Sequence, residues 1–153
     1  MQYRKLFDEK EEKARRLYYL LANYYLLQII SSQKENCIVV VDRFFPSTLA
    51  YHNASNSIKI EKENTIQIPS FFQKNLPPNF FIFFLDLDEN VRRKRIRNRN
   101  IPLTKEEILL EQDDSFREIV INTYKQLSGT IRIDVDQSLG EIALIIRNYL
   151  SIK

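Results

Sequence analysis

A chain of 153 residues that is 44% hydrophobic can bury a substantial core as one domain, and ten Phe and eight Tyr supply much of that core. One cysteine excludes an internal disulfide, one histidine excludes a zinc cluster, and a net charge of +3 is too small to demand a polyanion partner. No run is long and apolar enough to cross a bilayer, and the start Met1-Gln2-Tyr3-Arg4-Lys5 lacks a signal-peptide core, so a reducing, intracellular setting is expected.

Asp8 and Glu11 have the spacing of a capping box and predict a helix running to about Gln33. Its first half is charged and its second half apolar nearly all round, which predicts a helix that leaves solvent and enters the protein body. Residues 37–41 follow as Cys-Ile-Val-Val-Val, a run without polar alternation that predicts a strand buried on both faces. Asp42 and Arg43 then fall at its carboxyl end, the edge at which open parallel sheets bind ligands. Arg grips phosphoryl oxygens in a bidentate fork, and Asp orients a hydroxyl, a water or a magnesium shell. Taken alone, the pair also reads as a surface ion pair capping a strand. Pro46 suits the first turn of a following helix.

Residues 52–69 are polar and Asn-rich and predict a loop, with His52 neither beside a nucleophile nor near a second metal ligand. Residues 69–75 predict a short helix. Residues 80–87, Phe-Phe-Ile-Phe-Phe-Leu-Asp-Leu, predict a second buried parallel strand. Asp88 is placed to cap a basic helix over residues 91–99, on which Arg92, Arg95 and Arg99 share a face. Such a run is usually a solvated face, and it also has the look of an RNA-binding patch. Thr104 and Glu107 form another capping box, predicting one long helix to about Leu127 that Gly129 stops. A third strand is expected over 130–135 and a closing amphipathic helix over 139–152. Three parallel strands alternating with helices predict an α/β crossover fold.

The two glycines, Gly129 and Gly140, lie in no Gly-rich loop, so this sequence contains no phosphate-cradling Walker A motif. The order of Val39-Val40-Val41-Asp42-Arg43-Phe44 with Ser47 and Ala50-Tyr51, then Phe84-Leu85-Asp86-Leu87, Lys94-Arg95-Ile96-Arg97-Asn98-Arg99, Ser115-Phe116-Arg117, Tyr124 and Ile133-Asp134, resembles the thymidylate kinases over essentially the whole chain. Arg15-Arg16-Leu17-Tyr18-Tyr19 leading to Asn23-Tyr24, and Thr104-Lys105-Glu106-Glu107, are most similar to the mitochondrial UMP/CMP kinase branch.

The resemblance implies a P-loop NTPase-type parallel sheet with helices on both faces, here a single domain over 1–153 that is N-terminally truncated and lacks the first strands and Walker A loop. It implies phosphoryl transfer from ATP with Mg2+ to a pyrimidine nucleoside monophosphate (UMP, CMP, dUMP or dTMP), impaired in this form. By resemblance Asp42 and Arg43 organise the phosphate region, with Mg2+ reached through Asp42. Tyr19, Asn23, Tyr24, Ser47 and Tyr51 line the acceptor pocket, and Arg95, Arg97 and Arg99 serve the lid and the donor nucleotide. Thymidylate kinases carry Arg where Tyr24 stands and Phe where Leu20 stands, so acceptor phosphate binding is expected to lean on Arg43 or Arg16. A homodimer or a complete kinase subunit is the expected protein partner, and a mitochondrial or cytoplasmic location is expected. The competing readings are a non-catalytic nucleotide-binding or regulatory pseudokinase, and an RNA-binding protein acting through residues 91–99.

Overall fold

The computed structural model describes residues 12–33, 37–58, 72, 75–77 and 80–150, which fall into two compact units, Met1–Asn79 and Phe80–Lys153. In the first unit, helix α1 spans Glu12–Ser31. Its C-terminal carbonyls are served locally: Ser32 Oγ donates to the Ile29 carbonyl at 2.8 Å and Gln33 Nε2 to the same oxygen at 2.9 Å. The capping box expected at Asp8 and Glu11 lies outside the described residues.

Helix α1 does not become apolar-buried all round, as its composition suggested. It buries one stripe, Arg16, Asn23 and Leu27, at helical spacings of seven and four, while Leu17, Leu21, Tyr24, Tyr25 and Ile29 remain exposed. Among the described residues its packing partner is one further helix, α2 (Phe45–Ile58), which covers one face only.

Residues 37–41 form no strand. Ile38, Val39 and Val40 are all solvent-exposed, and no described segment is hydrogen-bonded to them. A β-branched run becomes a strand only when a neighbour completes its ladder, so composition named the tendency without supplying the partner.

Helix α2 also extends through residues 52–58, where a loop was expected. The Asn-rich composition concealed an inward stripe: Ala50 and Ala54, four apart, are fully buried, and His52 and Asn56 make an i,i+4 side-chain contact. The start of α2 is seated by aromatics. Phe44 and Phe45 are buried, Phe45 stacks on Phe72 at 5.5 Å, and Phe44 meets Phe72 edge-on at 6.1 Å. Phe72 and Asn75 are helical, in keeping with the short helix expected there; the rest of 69–74 lies outside the described residues.

In the second unit, β1 (Ile82–Asp86) pairs in parallel with β2 (Thr130–Asp134), Ile82 opposite Thr130 and Asp86 opposite Asp134. The described residues therefore contain a two-stranded sheet rather than the three strands expected. Between the strands lie α3 (Glu89–Asn98), α4 (Lys105–Gln112) and α5 (Asp114–Gln126), and after them α6 (Leu139–Tyr149). Successive strand side chains point to opposite faces. Phe83 meets Tyr149 of α6 at 5.9 Å and Phe84 stacks on Tyr124 of α5 at 5.1 Å, so the two helices cover opposite faces of β1. Phe116, Val120 and Thr123 are the buried stripe of α5, and Phe116 and Ile133 are almost fully enclosed.

The single long helix expected over 104–127 is two helices. Asp113, with φ −123° and ψ 101°, leaves the helical region, and its carboxylate accepts from the Phe116 N–H at 2.9 Å, restarting the chain as α5. The Thr104–Glu107 capping box forms as expected, and Ser138 with Glu141 makes another at the start of α6. Gly129 turns the chain from α5 into β2 at φ +78°. No described helix is long and apolar enough to cross a membrane.

Candidate functional site

In the first unit the candidate residues gather along the α1–α2 pair and the corner before α2. Asp42 and Arg43 are exposed while Phe44, Phe45 and Pro46 are buried, so the aromatic anchor turns the acid–base pair outward at the amino end of α2. Arg43 takes φ +61°, a left-handed conformation that costs a β-carbon-bearing residue roughly 1–2 kcal/mol. Strain of this kind persists where surrounding packing over-determines the backbone, and it gathers at ligand sites. Nothing in the sequence marks it, because no glycine stands there.

Asn23 is buried and its Nδ2 donates to Thr48 Oγ1 at 3.0 Å, joining α1 to α2 beside Ser47. Tyr19 and Tyr51 are half-buried and Tyr24 is exposed. Tyr19 meets Tyr18 edge-on at 5.8 Å. The pair Asn23–Thr48 is thus a contact the structure adds, with Thr48 a residue that sequence reasoning passed over.

Arg16 is not available in the way the sequence suggested. It is buried, and its Nη1 donates to His52 Nδ1, to the His52 carbonyl at 3.3 Å and to Asn56 Oδ1 at 3.5 Å. Burial lowers its pKa below the ordinary value. Burial first, and then the Arg16 charge, lower that of His52. Of the two arginines offered for acceptor phosphate, Arg43 is the one that faces solvent.

In the second unit, α3 has two unlike faces. On one, Arg92 makes a forked contact with Glu89 (2.7 and 2.8 Å) and reaches Glu111 of α4 at 2.7 Å. Arg95 donates to the Val135 carbonyl at 3.0 Å and lies 3.5 Å from Asp136, tying α3 to the carboxyl end of β2. Arg99 meets Glu107 at 2.7 Å. Glu89 is held down to about 2, chiefly by the Arg92 hydrogen bonds. Glu107 is lowered chiefly by the Thr104 N–H.

The opposite face of α3 presents Asn90, Arg93, Lys94, Arg97 and Asn98 on an open surface. Arg97 and Lys94 carry no ion pair among the described residues; Arg93 is bound to Glu89 at 2.7 Å. The three arginines grouped by the sequence therefore divide: Arg95 and Arg99 are engaged within the fold, and Arg97 faces outward.

Comparison with known proteins decides the family. A sequence model of the thymidylate kinase family matches residues 2–144. The chain belongs to the thymidylate kinase family. The thymidylate kinase of Buchnera aphidicola subsp. Baizongia pistaciae is 33% identical over 109 residues, covering 68% of this chain and 48% of the relative. The thymidylate kinase of Finegoldia magna is 31% identical over 118 residues, covering 74% and 55%, and that of Staphylococcus haemolyticus 31% over 130 residues, covering 80% and 62%. The chain spans about half the length of the curated relatives it matches. No solved structure matches it. Thymidylate kinases have the P-loop NTPase fold, and the α/β architecture here, a parallel strand pair with helices on opposite faces, is of that type.

Proposed function

We propose that this chain is the acceptor- and lid-bearing part of a nucleoside monophosphate kinase that moves a phosphoryl group from ATP to a pyrimidine nucleoside monophosphate. The observation that carries the reading is the family match over 2–144, which spans both the Asp42–Arg43 corner and the α3 arginines. The names of the relatives put dTMP first among acceptors. Tyr24, standing where the family has an arginine, puts UMP, CMP and dUMP beside it in any test.

In this reading the Arg43 guanidinium, displayed at a strained corner, clamps the acceptor phosphate, and Asp42 orients the acceptor oxygen. Asn23, Ser47, Tyr19, Tyr24 and Tyr51 line the nucleoside face, and Arg97 supplies charge to the moving phosphoryl group. Arg95 and Arg99 hold α3 in place through Val135, Asp136 and Glu107. Among the described residues no cluster of three His, Cys, Asp or Glu side chains is placed to hold a metal. Magnesium in this reading is carried in on nucleotide phosphates and needs one or two carboxylates rather than a protein cage. Asp42 is the candidate carboxylate; the ion's contribution is to neutralise phosphate charge. Because Gly129 and Gly140 are the only glycines in this sequence, it contains no backbone cradle for the β- and γ-phosphates. The chain by itself is therefore expected to bind monophosphate and to turn it over negligibly.

The RNA-binding alternative loses ground. Arg92 and Arg93 are engaged by Glu89 and Glu111, which leaves Lys94 and Arg97 as the cations of α3 without ion pairs among the described residues. Two phosphate contacts would give only a shallow salt dependence, a slope of about −1.4 to −1.8 on a log–log plot.

Calorimetric titration with dTMP, UMP, CMP and dUMP, and a coupled assay with ATP and magnesium, test the reading. Arg43→Gly is the telling variant: it relieves the φ +61° corner, so melting temperature should hold or rise while monophosphate affinity is lost. Binding undiminished in that variant removes Arg43 from the site, and rapid turnover by the parent chain overturns the impaired reading.

A further inference from the structure

The arginines of the α3 segment are tied down to different degrees. Arg92 engages both Nε and Nη2, in a fork to Glu89 and a further bond to Glu111, and its side chain is 22% exposed. Arg95 donates to a backbone carbonyl, that of Val135. Arg99 is held by one side-chain bond, Nη2 to Glu107 Oε1 at 2.7 Å, and its side chain is 39% exposed. Among the described residues Nε and Nη1 of Arg99 make no bond, so most of its five N–H donors are open. Arg99 is the C-cap residue of α3, and residues 100–103, which carry the chain on to α4, are all exposed, so the guanidinium has room to turn.

Glu107 does not depend on Arg99. Its other oxygen, Oε2, accepts from the Thr104 N–H at 2.8 Å, and Thr104 Oγ1 accepts from the Glu107 N–H at 3.2 Å, so the capping box keeps the carboxylate in place whether or not Arg99 is on it. Parting Arg99 from Glu107 breaks one solvent-reached bond, whereas freeing Arg92 breaks three at once. An exposed ion pair of this kind adds little stability, and a polyphosphate offers a guanidinium more charge and more oxygens than one carboxylate does. We propose that Glu107 is an internal stand-in for phosphate, holding Arg99 at the α3–α4 turn until the phosphate chain of a nucleoside triphosphate displaces it. Arg99 then turns to the incoming oxygens, and Glu107 stays behind as the cap of α4. This rests on the reading of α3 as the lid of a kinase and adds a masking contact to it, in which one lid cation is neutralised until nucleotide arrives.

Inorganic tripolyphosphate is the probe, titrated into the full chain at about 0.15 M ionic strength so that distant charges are screened. Calorimetry gives the affinity, and the Arg99 Nε–H signal in a proton–nitrogen NMR spectrum reports the side chain. Glu107→Gln removes the competing charge while keeping a residue type that serves the same place in a capping box. It should bind tripolyphosphate about 1.5- to 5-fold more tightly than the parent, the range set by an exposed ion pair, with amide exchange in α4 unchanged. In an Arg99→Met background the same substitution should bring little gain. A gain that survives there undiminished reports only the loss of a negative charge and overturns the inference. Equal or weaker binding by Glu107→Gln also overturns it, and leaves the lid reading of α3 standing. Absence of binding by parent and variant alike overturns the inference and the lid reading together. If Glu107→Gln does not fold, the parent decides: its Arg99 signal should move as tripolyphosphate saturates the chain, and a signal that stays in place overturns the inference.

Discussion

Replacing Arg92 by Met should unfasten α3 from α4 and reduce the part of the second unit's acid sensitivity that runs through Glu89. Arg92 contacts Glu89 at 2.7 and 2.8 Å and Glu111 at 2.7 Å, with all three side chains roughly a fifth to a third exposed. Its hydrogen bonds are the leading cause that takes Glu89 from 4.5 to about 2. The whole shift, to which Arg93 and Arg117 also contribute, corresponds to at most about 3.4 kcal/mol. Screening by the water that reaches these groups reduces the expected loss to about 1–2 kcal/mol. Because the folded pKa is depressed, the stabilisation is present above 4.5 and disappears as pH falls through about 2. Urea unfolding of parent and Arg92→Met should therefore differ at neutral pH and converge in strong acid. A double-mutant cycle with Glu111→Gln should return a coupling of about 0.5–1 kcal/mol. A difference that does not change with pH, or a coupling of zero, would refute the argument.

Phe116→Ala empties the best enclosed aromatic site of α5 and should cost about 3–5 kcal/mol in chemical denaturation. Asp113→Ala removes the cap that separates α4 from α5 and should cost about 1 kcal/mol, with faster amide exchange at Phe116. Gly129→Ala meets no atom within 4 Å, so its penalty of about 1 kcal/mol would arise from φ +78° alone; a neutral result by thermal melting would show that the turn relaxes.

Local signals were legible wherever a short stretch of chain suffices to satisfy its own backbone. Asp88, Thr104 with Glu107, and Gly129 all act where the sequence placed them, because a cap or a left-handed turn is settled within about four residues. The long helix expected after Thr104 failed at Asp113, whose carboxylate serves a cap as readily as an exposed helical position. The Asn-rich helix from His52 was hidden because its inward stripe is alanine, histidine and asparagine rather than leucine.

Sequence by itself determined the family and the existence of the β1 and β2 strands, since these rest on residue types and their order. Tertiary structure alone decided which charges are spent within the fold. Arg16, Arg92, Arg95 and Arg99 are engaged, while Arg43 and Arg97 face outward, and no periodicity could sort them. The partners of Arg16, Arg92 and Arg95, His52, Glu111 and Val135, lie 36, 19 and 40 residues away in the chain. The charge on a side chain is a property of the residue, but its neutralisation depends on what folding brings within about 3 Å.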